Sequence, residues 1–317
     1  MRALAEAEAR GADLERVQLH LALTASLLFD DHFVVRRALE INQEHVGLVE
    51  RLRDSAEAQY ATGRGSQQHP LQAEVELALL ERERLSLRSR QQIIKAQING
   101  LMHREPRAAL PPAPATLAAA TAPEESEAEW VQRATQDSPE LRVSAHRVEA
   151  RRGGVALAQR AVLPDFSVMG TFNSMWPKLE HQLMVGLALN IPLQLGARRA
   201  GVDEASAALA QARSMHAERL DAVQVEVRAA WVRLEEALVQ AALYRDRILP
   251  AARRQVAAAE AGYQSGRDDF SDLMRAERRL RSFERAYAEA LADTWRRQAS
   301  LARTVGVAPQ SARGGAR

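Results

Sequence analysis

The side chains of this sequence that could do chemistry are its histidines and carboxylates, which hold metal ions or move protons when a fold gathers them. There are eight histidines, and they are scattered. His32 and His45 share one helical pattern but stand 45 − 32 = 13 positions apart, whereas zinc on a helix face needs the four-residue spacing of His-Glu-x-x-His. They read as surface or core histidines. Glu74 with Glu81, and Glu277 with Glu284, each recur two helical turns apart on one face. Pairing with neighbouring arginines accounts for them as well as the lining of an aqueous passage would. Cysteine is absent, which leaves this chain no disulfide, thiolate metal site, thiol nucleophile or lipidated cysteine. No enzyme, metal or cofactor constellation emerges.

Charge argues against nucleic acid as a partner. Lys and Arg number 43 against 41 acidic residues, for a net charge of +2, and the two signs are interleaved along helical patterns rather than gathered beside aromatic platforms. Aromatic residues make up only 4% of the chain, while Ala, Leu, Glu, Arg and Gln dominate. That mixture fits long helices in close contact through small side chains. No apolar stretch reaches the length of a membrane helix, and the opening Met1-Arg2-Ala3-Leu4-Ala5-Glu6-Ala7-Glu8 lacks the apolar core of a secretion signal.

An internal repeat organises these helices. Ala56-Glu57-Ala58-Gln59-Tyr60-Ala61-Thr62-Gly63-Arg64 lies over Ala259-Glu260-Ala261-Gly262-Tyr263-Gln264-Ser265-Gly266-Arg267, at a shift of 263 − 60 = 203. Without a gap, the same shift matches Ala73 with Ala276, Leu77 with Leu280, Glu81 with Glu284 and Pro106 with Pro309. Each copy reads as helix, tight break, helix. In the second copy, Val223, Val227, Ala230, Leu234, Ala237, Ala241, Tyr244 and Ile248 step by four and three, which is a heptad stripe. The arm that carries them runs from about 197 to 261, and Pro250 is expected to bend it.

The expected architecture is mainly α, built as long antiparallel helical hairpins. Residues 1–103 form the first, incomplete copy, with a break at Tyr60 to Gly65 and a return arm from Leu71 to His103. Residues 104–136, with Pro106, Pro111, Pro112, Pro114 and Pro123, form a connector that cannot be one helix. Residues 137–309 form the second copy: a helix over 138–162 capped by Ser138, a β-hairpin over 165–193 and a helical hairpin over 197–305. Residues 310–317 are expected to be a disordered tail.

The β-hairpin is read from a change of period. Phe166, Val168, Gly170 and Phe172 alternate with polar or mixed residues, then Trp176 to Glu180 supplies a turn around Pro177. Leu183, Val185, Leu187, Leu189, Ile191 and Leu193 alternate with Met184, Gly186, Ala188, Asn190 and Pro192. Such strands fit either a tilted crossing of an outer membrane or an ordinary hairpin over a soluble core. The flanking helices are too long to wrap a compact core, which favours the first; a lone two-stranded ribbon must join others.

Taken in order, several short motifs resemble the outer-membrane factor family of the TolC type over nearly the whole chain. They are the breaks Tyr60-x-x-Gly63 and Tyr263-x-x-Gly266, Ser138-Pro139-Glu140-Leu141, Leu163-Pro164-Asp165, Ile191-Pro192-Leu193 and Ile248-Leu249-Pro250-Ala251. The resemblance implies an α-barrel subunit with one transmembrane β-hairpin, assembled as a homotrimer around a shared barrel in outer-membrane lipid, with a long periplasmic helical extension. Such proteins are the exit ducts of tripartite efflux pumps or type I secretion systems, joined to a periplasmic adaptor, the membrane fusion protein, and an inner-membrane transporter. The sequence is similar in style to members serving resistance-nodulation-division pumps, including the metal-efflux branch. At the repeat offset Met1 answers to Glu204, since 1 + 203 = 204, so the expectation is an N-terminally truncated form whose missing part holds a helix, a hairpin and a secretion signal.

The resemblance also implies site residues. Tyr60, Gly63, Arg64 and Ser66, with Tyr263, Gly266 and Arg267, would form the periplasmic tips that contact the adaptor. On the plainer reading, Gly63 and Gly266 only terminate helices. Asp268, Asp269 and Asp272 are candidates for a pore gate, where a ring of carboxylates favours cations and repels itself; Arg275 departs from the acidic pattern. Leu183, Val185, Leu187, Leu189 and Ile191 would face lipid. The rival reading is a soluble coiled-coil scaffold that dimerises through its ribbon.

Overall fold

A computed structural model describes residues 2–172, 183–190 and 194–309. The turn expected around Trp176 to Glu180, the strand end at Ile191 to Leu193 and the tail from Gln310 lie outside the described residues.

Among the described residues, seven helices and two strands follow in order. Helix α1 spans Arg2–Ala61 and α2 spans Gln68–Leu101; α3 is Glu127–Asp137 and α4 is Pro139–Arg160. Strands β1, Asp165–Phe172, and β2, Leu183–Asn190, come next. Helix α5, Leu195–Leu243, passes through a π-helical turn at Tyr244–Ile248 into α6, Leu249–Gln264, and α7, Phe270–Thr304, closes the series. No proline interrupts the 60 residues of α1, so nothing in it removes a backbone donor.

The heptad stripe of α5 is buried where the sequence places it: Val223, Val227, Ala230, Leu234, Ala237 and Ala241 are each at most 7% exposed. At the π turn the stripe shifts by one residue. Tyr244 and Ile248 are only half-buried, and burial resumes at Leu249, Ala252 and Tyr263. A π turn takes up one residue beyond the α-helical repeat, which rotates the following face. It also lets the Leu249 N–H reach the Tyr244 carbonyl just ahead of Pro250, which has no N–H to give. Pro250, expected to bend the arm, stands as the second residue of α6, directly after this π turn.

The chain divides into two compact units. One comprises Met1–Val17 and Thr135–Gln224. In it the start of α1, helix α4 and the first part of α5 are joined by Arg142 to Glu15 at 2.5 Å, His146 to Glu8 at 3.2 Å, and Arg219 to Glu140. Ser138 holds the N-cap position of α4, and its carbonyl accepts from the Arg142 N–H, but its side chain makes no cap hydrogen bond. This unit also carries the hairpin.

The other unit comprises Gln18–Ala134 and Val225–Arg317. Its connector is tied down rather than free. The Asn99 amide donates to the Pro106 and Ala108 carbonyls at 3.2 and 2.9 Å, the Thr294 hydroxyl accepts from the Ala120 N–H at 3.0 Å, and the Trp295 indole donates to the Ala118 carbonyl at 2.7 Å. Leu117 is buried with Phe33, Val34, Ala288 and Ala292. Helix α3 emerges from the connector's end, where the sequence places no helix. Ser126 and Glu129 cap it reciprocally: the Ser126 N–H and hydroxyl both donate to Glu129 Oε2, at 2.6 and 2.8 Å.

Candidate functional site

Two helix-to-helix breaks, one in each sequence copy, share a backbone design. At the first, the Gly63 N–H donates to the Tyr60 carbonyl and the Arg64 N–H to the Gln59 carbonyl, both at 2.9 Å. At the second, the Gly266 N–H donates to the Tyr263 carbonyl at 3.1 Å and the Arg267 N–H to the Gly262 carbonyl at 2.9 Å. These paired bonds are a Schellman cap, which needs a left-handed residue at its hinge. Gly63 and Gly266 supply it, with φ of 72° and 69°. The return arms end alike: His103 and Gly306 take φ of 52° and 80°, and the Arg104 and Val307 N–H groups reach back to the Asn99 and Ala302 carbonyls. Every one of these pairs is related by the offset of 203 found in the sequence.

Inside that common backbone the two tips are filled in opposite ways. At the second, Asp268 lies over Gly262, and a methyl built on Gly262 would come within 2.5 Å of the Asp268 Cγ and 3.0 Å of its Cβ. At the first, the equivalent positions are Gln59 and Gly65, and a methyl on Gly65 would come within 3.1 Å of the Gln59 Cβ. One seat is filled from the helix side in one tip and from the loop side in the other.

The tyrosines differ as well. Tyr60 is 48% exposed and Tyr263 only 9%. The Tyr263 hydroxyl donates to Gln59 Oε1 at 3.1 Å, and its ring joins a cluster of Val49, Ala56, Ala73, Leu80, Phe270, Leu273 and Met274. Burial, then the charge of Asp269, holds the Tyr263 phenol above its ordinary range. Tyr263 is thus a packing residue, while Tyr60, Gly63, Arg64, Ser66, Gly266 and Arg267 face solvent.

Of the three acids proposed for a gate, Asp269 precedes α7 and accepts from the Ser271 hydroxyl at 2.7 Å. That bond, with the Phe270 N–H and His69, holds its carboxyl below the usual range. His69, from α2, places Nε2 3.2 Å from Asp269 Oδ1 and stacks on Phe270 with ring centroids 5.2 Å apart. Asp272 pairs with Arg275, the residue that breaks the acidic pattern. All three acids are exposed. His69 and Gln59, which link the two tips, were not singled out by the sequence; both partnerships span some 200 residues.

Glu277 and Glu284 lie inward around His45 instead of lining a passage. Their side chains are 8% and 17% exposed, whereas Glu74 and Glu81, their counterparts in the first copy, are exposed.

The hairpin is the other candidate surface. Antiparallel pairing sets Phe166 opposite Leu189, Val168 opposite Leu187, Gly170 opposite Val185 and Phe172 opposite Leu183. Opposed residues project to the same side of a pleated pair, so the aliphatic row of β2 and the aromatic row of β1 merge into one apolar face. Phe166, Val168, Val185 and Leu187 are 74 to 77% exposed. The opposite face carries Ser167, Met169, Thr171, Met184, Gly186, Ala188 and Asn190. Ile191 lies outside the described residues.

Among the described residues no helix is long and apolar enough to cross a membrane, and no group of three or more His, Asp or Glu is placed to hold a metal ion. The model of the family described as outer membrane efflux protein matches residues 130–307. No curated protein matches the chain. Among solved structures, the outer-membrane channel OprN superposes with a TM-score of 0.86 at 21% identity, over 96% of this chain and 70% of that one. The outer membrane protein VceC of Vibrio cholerae gives 0.82 at 18%, over 98% and 75%. CusC, whose structures address folding and transmembrane channel formation, gives 0.85 at 17%, over 96% and 73%.

Proposed function

Because the chain belongs to the outer membrane efflux protein family, we propose that it is the outer-membrane duct subunit of a tripartite efflux or type I secretion system. Its substrate arrives from an inner-membrane transporter through a periplasmic adaptor. The observation that carries this is the hairpin: eight-residue strands whose continuous apolar face is uncovered, joined to helices of tens of residues. Lipid outside and a lumen lined by the mixed, more polar row inside satisfy both faces, and closure with strands of other subunits satisfies the edges. The duct performs no chemistry on its cargo, and specificity rests with the pump.

A homotrimer is favoured by a second, helical surface. Val225, Val232 and Val239 recur every seven residues on α5 and are 67, 44 and 69% exposed, which is the pattern of a seam awaiting another helix. On this reading the tips present Tyr60, Gly63, Arg64, Ser66, Gly266 and Arg267 to the adaptor, with Tyr263 bracing them from within. Asp268, Asp269 and Asp272 form the constriction, and Arg275 tempers the charge of Asp272.

Reconstitution in planar bilayers tests the proposal. The wild-type protein, recovered from outer membranes as a detergent-dependent trimer, is expected to conduct with cation preference, and Asp272→Ala to raise single-channel conductance. Unchanged conductance and selectivity remove Asp272 from the gate. A monodisperse soluble dimer instead supports the scaffold reading.

A further inference from the structure

His45 on α1 has an acid at each ring nitrogen, Glu277 buried and Glu284 half-buried. Its Nε2 lies 3.6 Å from Glu284 Oε2 and its Nδ1 4.0 Å from Glu277 Oε2, both on α7. The imidazole is 7% exposed. We propose that His45 is a proton-operated clamp that holds α7 against α1. A charged imidazolium carries an N–H on both nitrogens and can serve both acids; a neutral ring carries one, so one acid must face a lone pair. In a buried setting the second arrangement is costly.

The surroundings leave the proton few other places. On α6, Arg253 approaches Glu284 at 3.5 Å, and Glu260 adds negative charge near Glu277. On α2, the buried acid Glu76 is taken by Arg281 at 3.0 Å and Arg278 at 3.6 Å. On α1 itself, Asn42 donates to the Leu80 carbonyl at 3.1 Å. Burial pushes the Glu277 carboxyl above its usual range, whereas hydrogen bonding from His45 holds Glu284 below it. A proton kept on folding is therefore drawn to the Glu277 side of the ring, and Glu284 stays ionised.

The sign follows from proton uptake. Where the folded cluster keeps a proton that the unfolded chain has released, stability is complete at low pH and falls as pH rises through the cluster's titration. Glu284 acts in the opposite sense, but only below the ordinary glutamate range. The clamp adjoins the cluster that seats the tips: Val46 and Val49 follow His45 on α1, and Leu273 and Met274 precede Glu277 on α7. Loss of the proton loosens the same contact that buries Tyr263 and Phe270.

Hydrogen exchange of the full chain in detergent, followed from about pH 5.5 to 8, reads this directly. After correction for intrinsic exchange, protection of residues 273–288 should fall with pH, by up to about tenfold per pH unit for one linked proton. His45→Gln should flatten that slope. Glu277→Gln, which keeps the shape and removes one acid, should reduce it even if His45→Gln fails to fold. A flat wild-type profile overturns the clamp, and so does an unchanged slope in either folded variant. Because the readout is local protection rather than conductance, this inference and the duct proposal fail separately.

Discussion

Gly262→Ala offers a stringent test of how the second tip is built. The new methyl would meet the Asp268 carboxyl, with the Cγ 2.5 Å and the Cβ 3.0 Å away, far inside van der Waals contact. Overfilling a packed site costs about 1–3 kcal/mol. Replacing glycine by alanine in a helix otherwise gains about 1 kcal/mol, and Gly262 lies within α6, so the observed loss is the difference between these terms. The informative measurement is the same substitution made beside Asp268→Gly, which reproduces the glycine at the equivalent place in the first copy, Gly65. With the carboxyl gone, Gly262→Ala should change sign and stabilise the tip by a few tenths of a kcal/mol to about 1 kcal/mol. Local opening free energies from hydrogen exchange over residues 256–272 supply all four corners of the cycle. Equal effects of Gly262→Ala in both backgrounds would refute the shared seat.

Three further outcomes follow from single features. Leu187→Arg, on the apolar hairpin face, should cost about 2–4 kcal/mol if that residue sits at the membrane midplane, and should reduce recovery of heat-resistant trimers from outer membranes; Thr171→Arg, on the other face, should not, and equal losses would undo the assignment of faces. His103→Gly, at φ of 52°, should raise the thermal midpoint by relieving a left-handed strain of about 1 kcal/mol. The Asp269 carboxyl lies below its ordinary value of 3.8, so its contribution is present above that value and lost as pH falls through the lowered one. Asp269→Asn should remove this acid-limb sensitivity in a pH titration followed by circular dichroism.

Local rules made most of the architecture legible in advance. The α5 stripe from Val223 to Ala241 is buried as a heptad predicts because each position depends only on its place around one helix. The breaks at Gly63 and Gly266 were readable because a Schellman hinge favours glycine. Helix α3 was missed beneath the prolines before it, although Ser126-Glu127-Ala128-Glu129 is a capping-box signature. The π turn left no comparable mark beyond Pro250. Least legible were the contacts of His45, His69 and Tyr263, whose partners lie 200 or more residues away along the chain. Residue type announces that a histidine needs company but not which segment supplies it. The repeat, too, disclosed the common backbone of the tips without revealing that Gln59 and Asp268 occupy one seat from opposite sides.

The strapped-down connector has a practical consequence for anyone wishing to label or cut this molecule. Proline-rich stretches invite peptide tags and protease sites because they are usually slack, but Asn99, Thr294 and Trp295 hold this one by its carbonyls and an amide. An inserted epitope there would have to unpick those stitches together with the Leu117 anchor, so this proline-rich stretch is a poor place for one.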